Sequence, residues 1–242
     1  MFSIATVYWG NNENLESFID DCLEYSDDVV VAYIDLFGHN FSSDRATIVE
    51  LPYNFLLEHG YAASYNVARS YAKHRWVYNL GVSERITYVN DQLIKTLPTT
   101  KYSAFIVRSD DLPGTWYRFG NLDRSSMAGR IHEELCSIEL MGRVAKRNGN
   151  DVISSWKKVE YIQNNDFEKN VSDGYRLLSR VKWLAGFSDP KNQVGPSDFW
   201  WTHYDNELAT NLYKQVEDIY TMSKKDMINA LSKRSDWRDY PV

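Results

Sequence analysis

The sequence predicts an α/β protein in which a mixed, mainly parallel sheet is flanked by helices and followed by a C-terminal helical extension. Three observations carry this. The chain opens strand, helix, strand within 35 residues; a second helix runs directly into a buried strand at Trp76–Leu80; and a short hairpin follows where another crossover would not fit. At 242 residues the chain can bury one large core and still carry a tail.

Phe2 to Tyr8 is an apolar run suited to a buried first strand, and the polar turn Gly10-Asn11-Asn12-Glu13 offers several helix N-caps. Leu15, Phe18, Ile19, Cys22 and Leu23 recur at helical spacing, so the first helix stops near Ser26. Val29 to Ile34 is a β-branched strand ending at Asp35, parallel to the first through the crossover helix. Residues 36–54 form a loop with a third strand, Thr47–Leu51, closed by Pro52. Tyr61, Tyr65, Ala68 and Ala72 share one helical face ahead of the strand Trp76–Leu80. Ile86, Val89, Leu93 and Ile94 then suggest an amphipathic helix ending before Pro98.

Ser103–Val107 and Trp116–Phe119 read as a hairpin joined by the turn Asp110-Asp111-Leu112-Pro113-Gly114. Met141 to Ser155 shows no clear period, and Trp156 to Trp183 reads as mostly helical. Residues 189–198, with two prolines and a glycine, break the chain, and Leu208, Leu212, Val216, Ile219 and Met222 line one long amphipathic helix before a polar tail.

A net charge of −6 provides no general field for a polyanion, which counts against a DNA-coating or membrane-surface role. Cys22 and Cys136 form neither a disulfide framework nor a zinc spacing, and the five histidines lack metal-ligand spacing. No run approaches transmembrane length and the start lacks a basic, then apolar, leader, so the expected location is cytoplasmic.

The helix and strand from Leu57 to Arg85 resemble the nucleotide-sugar-binding half of family 2 glycosyltransferases. The family has Ala-Arg-Asn before the helix and Asp-x-Asp-Glu after the strand. Asn66 and Glu84 match here, while Tyr65 replaces the arginine and Gly81 and Ser83 replace the two aspartates. The opening unit resembles the same family, whose first loop and second-strand Asp cradle the uracil and ribose of a UDP-sugar; Tyr8, Trp9 and Asp35 stand at those places. Gly129-Arg130-Ile131-His132-Glu133 resembles a Gly-Arg-Val-His-Glu segment near the family's acceptor side. The resemblance implies a glycosyltransferase A fold with a Rossmann-like nucleotide-binding half. Residues 1–188 would form the transferase-like domain, with a nucleotide-sugar half at about 1–97 and an acceptor half at about 98–188, and 189–242 the extension.

The implied function is inverting transfer of a sugar from a nucleotide-sugar donor, UDP-linked, to an acceptor hydroxyl. Such chemistry needs a nucleotide pocket, a countercharge for the departing diphosphate and a base for the acceptor. The resemblance assigns donor binding to Tyr8, Trp9, Asp35, Asn66, Gly81, Ser83 and Glu84, and the base to Glu133 beside His132. It also implies a divalent cofactor, Mg or Mn, for which Glu84 is the remaining ligand of the motif, with His203 in the tail a distant candidate. Arg69, Lys73 or Arg85 could replace the ion instead. Phe199 to Tyr204 is dense in rings that could stack on an acceptor sugar or pin the last helix, and Arg118, Arg124 and Arg130 could meet an anionic acceptor. The acceptor stays open between a glycan, a lipid-linked sugar, a protein and a nucleic-acid base. The loss of two aspartates also admits a catalytically inactive binding or assembly protein on the same scaffold.

Overall fold

The computed structural model describes residues 1–113, 115–128, 134–137, 152–162, 165–185 and 206–234. Its centre is an eight-stranded sheet in the order β3-β2-β1-β4-β7-β6-β10-β5. The first half, β1 (Ser3–Tyr8), β2 (Val29–Ile34), β3 (Thr47–Leu51) and β4 (Trp76–Asn79), is parallel throughout. The second half is mixed: β7 (Thr115–Asn121) runs antiparallel to β4 and to β6 (Ala104–Ser109), while β10 (Val152–Lys158) runs parallel to β6 and antiparallel to β5 (Glu84–Val89). This is the mixed, mainly parallel α/β architecture expected from the sequence, and its order agrees with the glycosyltransferase A type.

β1 and β2 are buried at every position, as strands covered on both faces must be. Alternation sends Ile4, Val29, Val31 and Tyr33 to the face packed by α1 (Asn12–Leu23), through Leu15, Phe18 and Ile19. Ala5, Val7, Val30 and Ala32 go to the other face, against Ala62, Tyr65 and Ala68 of α2 (Phe55–Ser70). The small residues on both sides of that second contact let α2 lie close to the sheet. α2 kinks at Gly60, whose φ of +81° suits glycine and strains a residue with a Cβ. α1 starts at Asn11, whose side chain accepts from the Asn14 N–H.

A third apolar cluster lies beyond the end of β2. There α4 (Asp166–Ala185), α5 (Asn206–Val216) and α6 (Lys224–Ser232) pack Val171, Tyr175, Leu178, Val181, Leu212 and Leu231 with Leu56 and Leu57 of α2.

Several elements differ from the sequence reading. Residues 84–89 are strand β5, not the start of a helix; only Asp91–Thr96 is helical, as α3, capped by Asn90. Ile86 and Val89 mimic a helical period, but ladder bonds to β10 decide the conformation. Residues 152–158, read in part as aperiodic and in part as helix, form β10 between β6 and β5. Two strands flank residues 129–133, β8 (Ser125–Ala128) and β9 (Glu134–Ser137), and they pair in a separate two-stranded sheet. The long C-terminal helix is broken by a 3-10 segment, Glu217–Thr221, and α6 restarts at the Ser223 cap. The breaker at 189–198 and the polar tail lie outside the described residues.

Burial also makes the fold sensitive to alkali. It pushes the Tyr8 hydroxyl up to about 12, and it raises Tyr33, Tyr78, Tyr161, Tyr175 and Tyr220 as well. The folded state therefore favours neutral phenols. Stability from this source is complete below pH ~10, where unfolded tyrosine titrates, and is lost as pH rises through the folded values. Tyr8 alone accounts for about 2–3 kcal/mol between pH ~10 and ~12. Thermal denaturation should show Tm falling steeply above pH ~10, and Tyr8→Phe should fall less steeply. Parallel Tm curves for the two proteins to pH ~12 would contradict the assignment.

Candidate functional site

β1 and β4 are parallel neighbours, and the order β3-β2-β1-β4 means that the chain leaves β1 toward β2 on one side while β4 lies on the other. Open α/β sheets form their ligand crevice at such a switch point, outside the carboxyl ends of the strands. A cavity of about 370 Å³ lies there. Val7, Tyr8 and Trp9 enter it from the end of β1, Gly81, Val82 and Ser83 from the turn after β4, and Tyr61 and Tyr65 from α2. Tyr161 joins from the segment after β10, and Ser172, Asp173, Arg176 and Arg180 from α4.

Each wall has a local cause. The 81–84 turn is closed twice: the Glu84 N–H donates to the Gly81 carbonyl at 2.9 Å, and the Gly81 N–H donates to Glu84 Oε2 at 2.7 Å. A Cβ at Gly81 would lie 3.2 Å from that carboxylate oxygen, so a larger residue would crowd its own anchor. The Leu80 N–H donates to Ala5 and the Val159 N–H to Ser83, tying the turn to β1 and to the chain leaving β10. Asn11 and Asn14 hold the Ile162 backbone to the start of α1, which brings Tyr161 beside Tyr8 with ring centroids 6.1 Å apart. Gly10 has no room for a Cβ, which would lie 2.3 Å from both tyrosine hydroxyls. Trp9 packs edge-on to Tyr61 and tilted on Tyr175. On α4, positions 172, 173, 176 and 180 repeat at helical spacing, so one polar face lines the cavity while the opposite face packs the core.

The residues singled out from the sequence separate into two groups. Tyr8, Trp9, Gly81 and Ser83 line the cavity together. Asp35, Asn66 and Glu84 are engaged elsewhere. Asp35 accepts from the Gly38 and His39 N–H groups and lies 3.6 Å from Lys224 Nζ. Asn66 exchanges two hydrogen bonds with the Met127 backbone, fastening β8 to α2. Glu84 receives Arg118 at 2.7 and 2.6 Å on its two oxygens, in addition to the Gly81 amide.

The cations considered as substitutes for a metal are also committed: Arg69 to Ser125, Lys73 to Asp28, and Arg85 to Asp21 and Ser17. Arg118 holds Glu84 and Arg124 donates to the Thr100 carbonyl. Glu133, His132, Arg130, His203 and the aromatic run 199–204 lie outside the described residues.

The motif turn does not fit the divalent ion that the resemblance implies. Mg and Mn need several hard oxygen ligands at one point. Gly81 and Ser83 bring no carboxylate, and Glu84 already serves an arginine. Among the described residues, no group of three or more His, Cys, Asp or Glu could hold a metal ion. Arg176 and Arg180 were not singled out from the sequence. Their only signal there was a spacing of four on an amphipathic helix, which also describes an ordinary solvated face.

No protein-family model matches the chain, and no curated protein matches it. Among solved structures, a crystal structure of S. aureus TarS overlaps 47% of this chain and 22% of its own, at 11% identity and a TM-score of 0.33. A structure of S. aureus TarS 1-349 overlaps 47% of this chain and 37% of its own, at 15% identity and a TM-score of 0.29. The chain thus matches well under half the length of either, and likeness at this level bears no weight. Among the described residues, no helix is long and apolar enough to cross a membrane.

Proposed function

We propose that the chain is a glycosyltransferase that takes a nucleotide-activated sugar, UDP-linked, into the cavity at the carboxyl ends of β1 and β4. One observation carries the proposal. Tyr8, Trp9, Gly81 and Ser83, chosen from distant parts of the sequence for donor binding, line a single cavity at the sheet's switch point. Tyrosine and tryptophan rings offer a base or a sugar ring stacking surface, and the small Gly81 allows close approach of backbone. In the transfer step the acceptor hydroxyl oxygen attacks the anomeric carbon. The bond to the diphosphate oxygen breaks, its electron pair leaves with the nucleoside diphosphate, and the acceptor proton passes to the Glu133 carboxylate.

A second reading, a binding or assembly protein that keeps the scaffold without catalysis, is favoured by the commitment of Glu84 to Arg118. Incubation with a panel of nucleotide sugars separates the two. A donor at about 100 times its dissociation constant should raise Tm by about 5–10 °C, and slow release of free nucleotide should accompany it. Stabilisation without release supports the second reading. No stabilisation and no release with any of the panel would contradict the transferase reading and favour the inactive scaffold.

A further inference from the structure

We infer that the cavity holds the donor's diphosphate through the paired guanidinium groups of Arg176 and Arg180, so that nucleotide binding there needs no divalent metal. The inference rests on the donor-site reading and names the countercharge which that reading leaves unassigned.

A nucleoside diphosphate brings at least two negative charges into a half-enclosed space, and some cationic group must answer them. At the turn after β4 that group is missing, because Glu84 is neutralised by Arg118 and no second carboxylate stands beside it to hold an ion. Across the cavity, Arg176 and Arg180 stand one helical turn apart on the same face of α4. Asp173 is the carboxylate on that wall, so the wall keeps an excess of positive charge.

Neither arginine forms an ion pair with a carboxylate among the described residues, in contrast to Arg45, Arg75, Arg85 and Arg118. Arg180 lies with its guanidinium 5.4 Å from the centre of the Tyr61 ring, and its Nε is buried without a hydrogen-bond partner among the described residues. A buried N–H left unanswered beside a cavity is a donor waiting for an acceptor. The Tyr61 ring holds the guanidinium at the cavity wall by a cation–π contact, and a guanidinium fork can meet two oxygens of a phosphate. The rings of Tyr8, Trp9 and Tyr161 line the same cavity and give the nucleoside apolar surface to rest on while the diphosphate meets α4.

The test is calorimetric titration of UDP and of inorganic pyrophosphate, each in EDTA and each with manganese. The proteins are the wild type, Arg176→Gln, Arg180→Gln, Arg180→Lys, the double Gln variant, and Lys95→Gln as an exposed charge-loss control outside the cavity. Wild type should bind UDP in EDTA within about threefold of its affinity with manganese. Each Gln variant should lose roughly tenfold or more and the double variant more still, because hydrogen bonds to charged groups are worth that much. Arg180→Lys should recover part of the loss and Lys95→Gln none. Binding should weaken with salt. Arg176 is exposed, so its variant should keep the wild-type Tm without ligand and isolate binding from folding.

UDP binding that vanishes in EDTA, or that survives the double substitution unchanged, would overturn the inference and leave the donor reading standing. Pyrophosphate binding through the arginines without binding of UDP or any nucleotide sugar would uphold the anion site and overturn the donor reading. No binding of either probe by wild type would overturn both.

Discussion

A Trp156→Ala protein is expected to lose about 3–5 kcal/mol of stability, the largest loss among the substitutions considered. Trp156 is 1% exposed on β10, between β6 and β5, where no neighbour can collapse into the space without disturbing two ladders. Its ring packs against Trp116 with centroids 5.7 Å apart and lies under the Arg118 guanidinium at 5.0 Å. The consequence extends beyond packing, because Arg118 in turn holds Glu84 and Glu84 holds the Gly81 amide at the cavity. Thermal denaturation should show Tm lowered by about 10 °C or more. Trp156→Phe should cost much less: it keeps a ring in place and removes an indole N–H that is buried without a partner among the described residues. An alanine variant as stable as wild type would show that β10 is not held inside the sheet between β6 and β5.

Arg118→Met is expected to cost about 2–3 kcal/mol, less than a fully buried pair because the arginine side chain is 27% exposed while that of Glu84 is 9% exposed. The cost comes mainly from the carboxylate left behind, which keeps only the Gly81 N–H as a partner. Glu84→Gln alone should cost less, since its amide oxygen can still accept from the Gly81 N–H. Arg118→Met combined with Glu84→Leu should cost less than the sum of the two single changes, because no unpaired charge remains. Urea denaturation of wild type, Arg118→Met, Glu84→Leu and the double variant gives the coupling. Strict additivity would mean that the pair is not the anchor of the 81–84 turn.

The parallel half of the fold was legible because its signals are local. β1 and β2 are uninterrupted apolar runs, β3 is bounded by Pro52, and α1 carries an apolar stripe behind an Asn cap. The mixed half was harder because its strands are defined by partners far along the chain. In β10, Val152–Lys158, serines interrupt the apolar pattern. The polarity of Ser154 is satisfied only in the fold, by the Tyr88 carbonyl at 2.8 Å. Ile86 and Val89 fit a helical repeat with Leu93 and Ile94, and the choice of strand is made by β10. At the C-terminal end, Leu212, Val216 and Ile219 stay on one buried side although the helix tightens to 3-10 between them, so the apolar repeat gives no sign of the break.

The same distinction divides the site. Tyr8, Trp9, Gly81 and Ser83, singled out through the resemblance, line one cavity because they stand at strand ends, which face the crevice in this class of fold. Glu84 and Asp35 also sit at strand boundaries, yet their carboxylates turn to Arg118 and to the 38–39 amides. Nothing in their sequence context distinguishes a turn-capping carboxylate from a ligand-binding one. Arg176 and Arg180 become noticeable only once α4 is seen to lay its polar face along the cavity.

The most direct measurement is hydrogen–deuterium exchange with and without the nucleotide sugar that most stabilises the protein. If the cavity at the ends of β1 and β4 is the donor site, protection should concentrate in the backbone around residues 8–11, 80–84 and 159–162 and in α4 near 172–180. Protection elsewhere, with those four segments unchanged at saturating ligand, would contradict it.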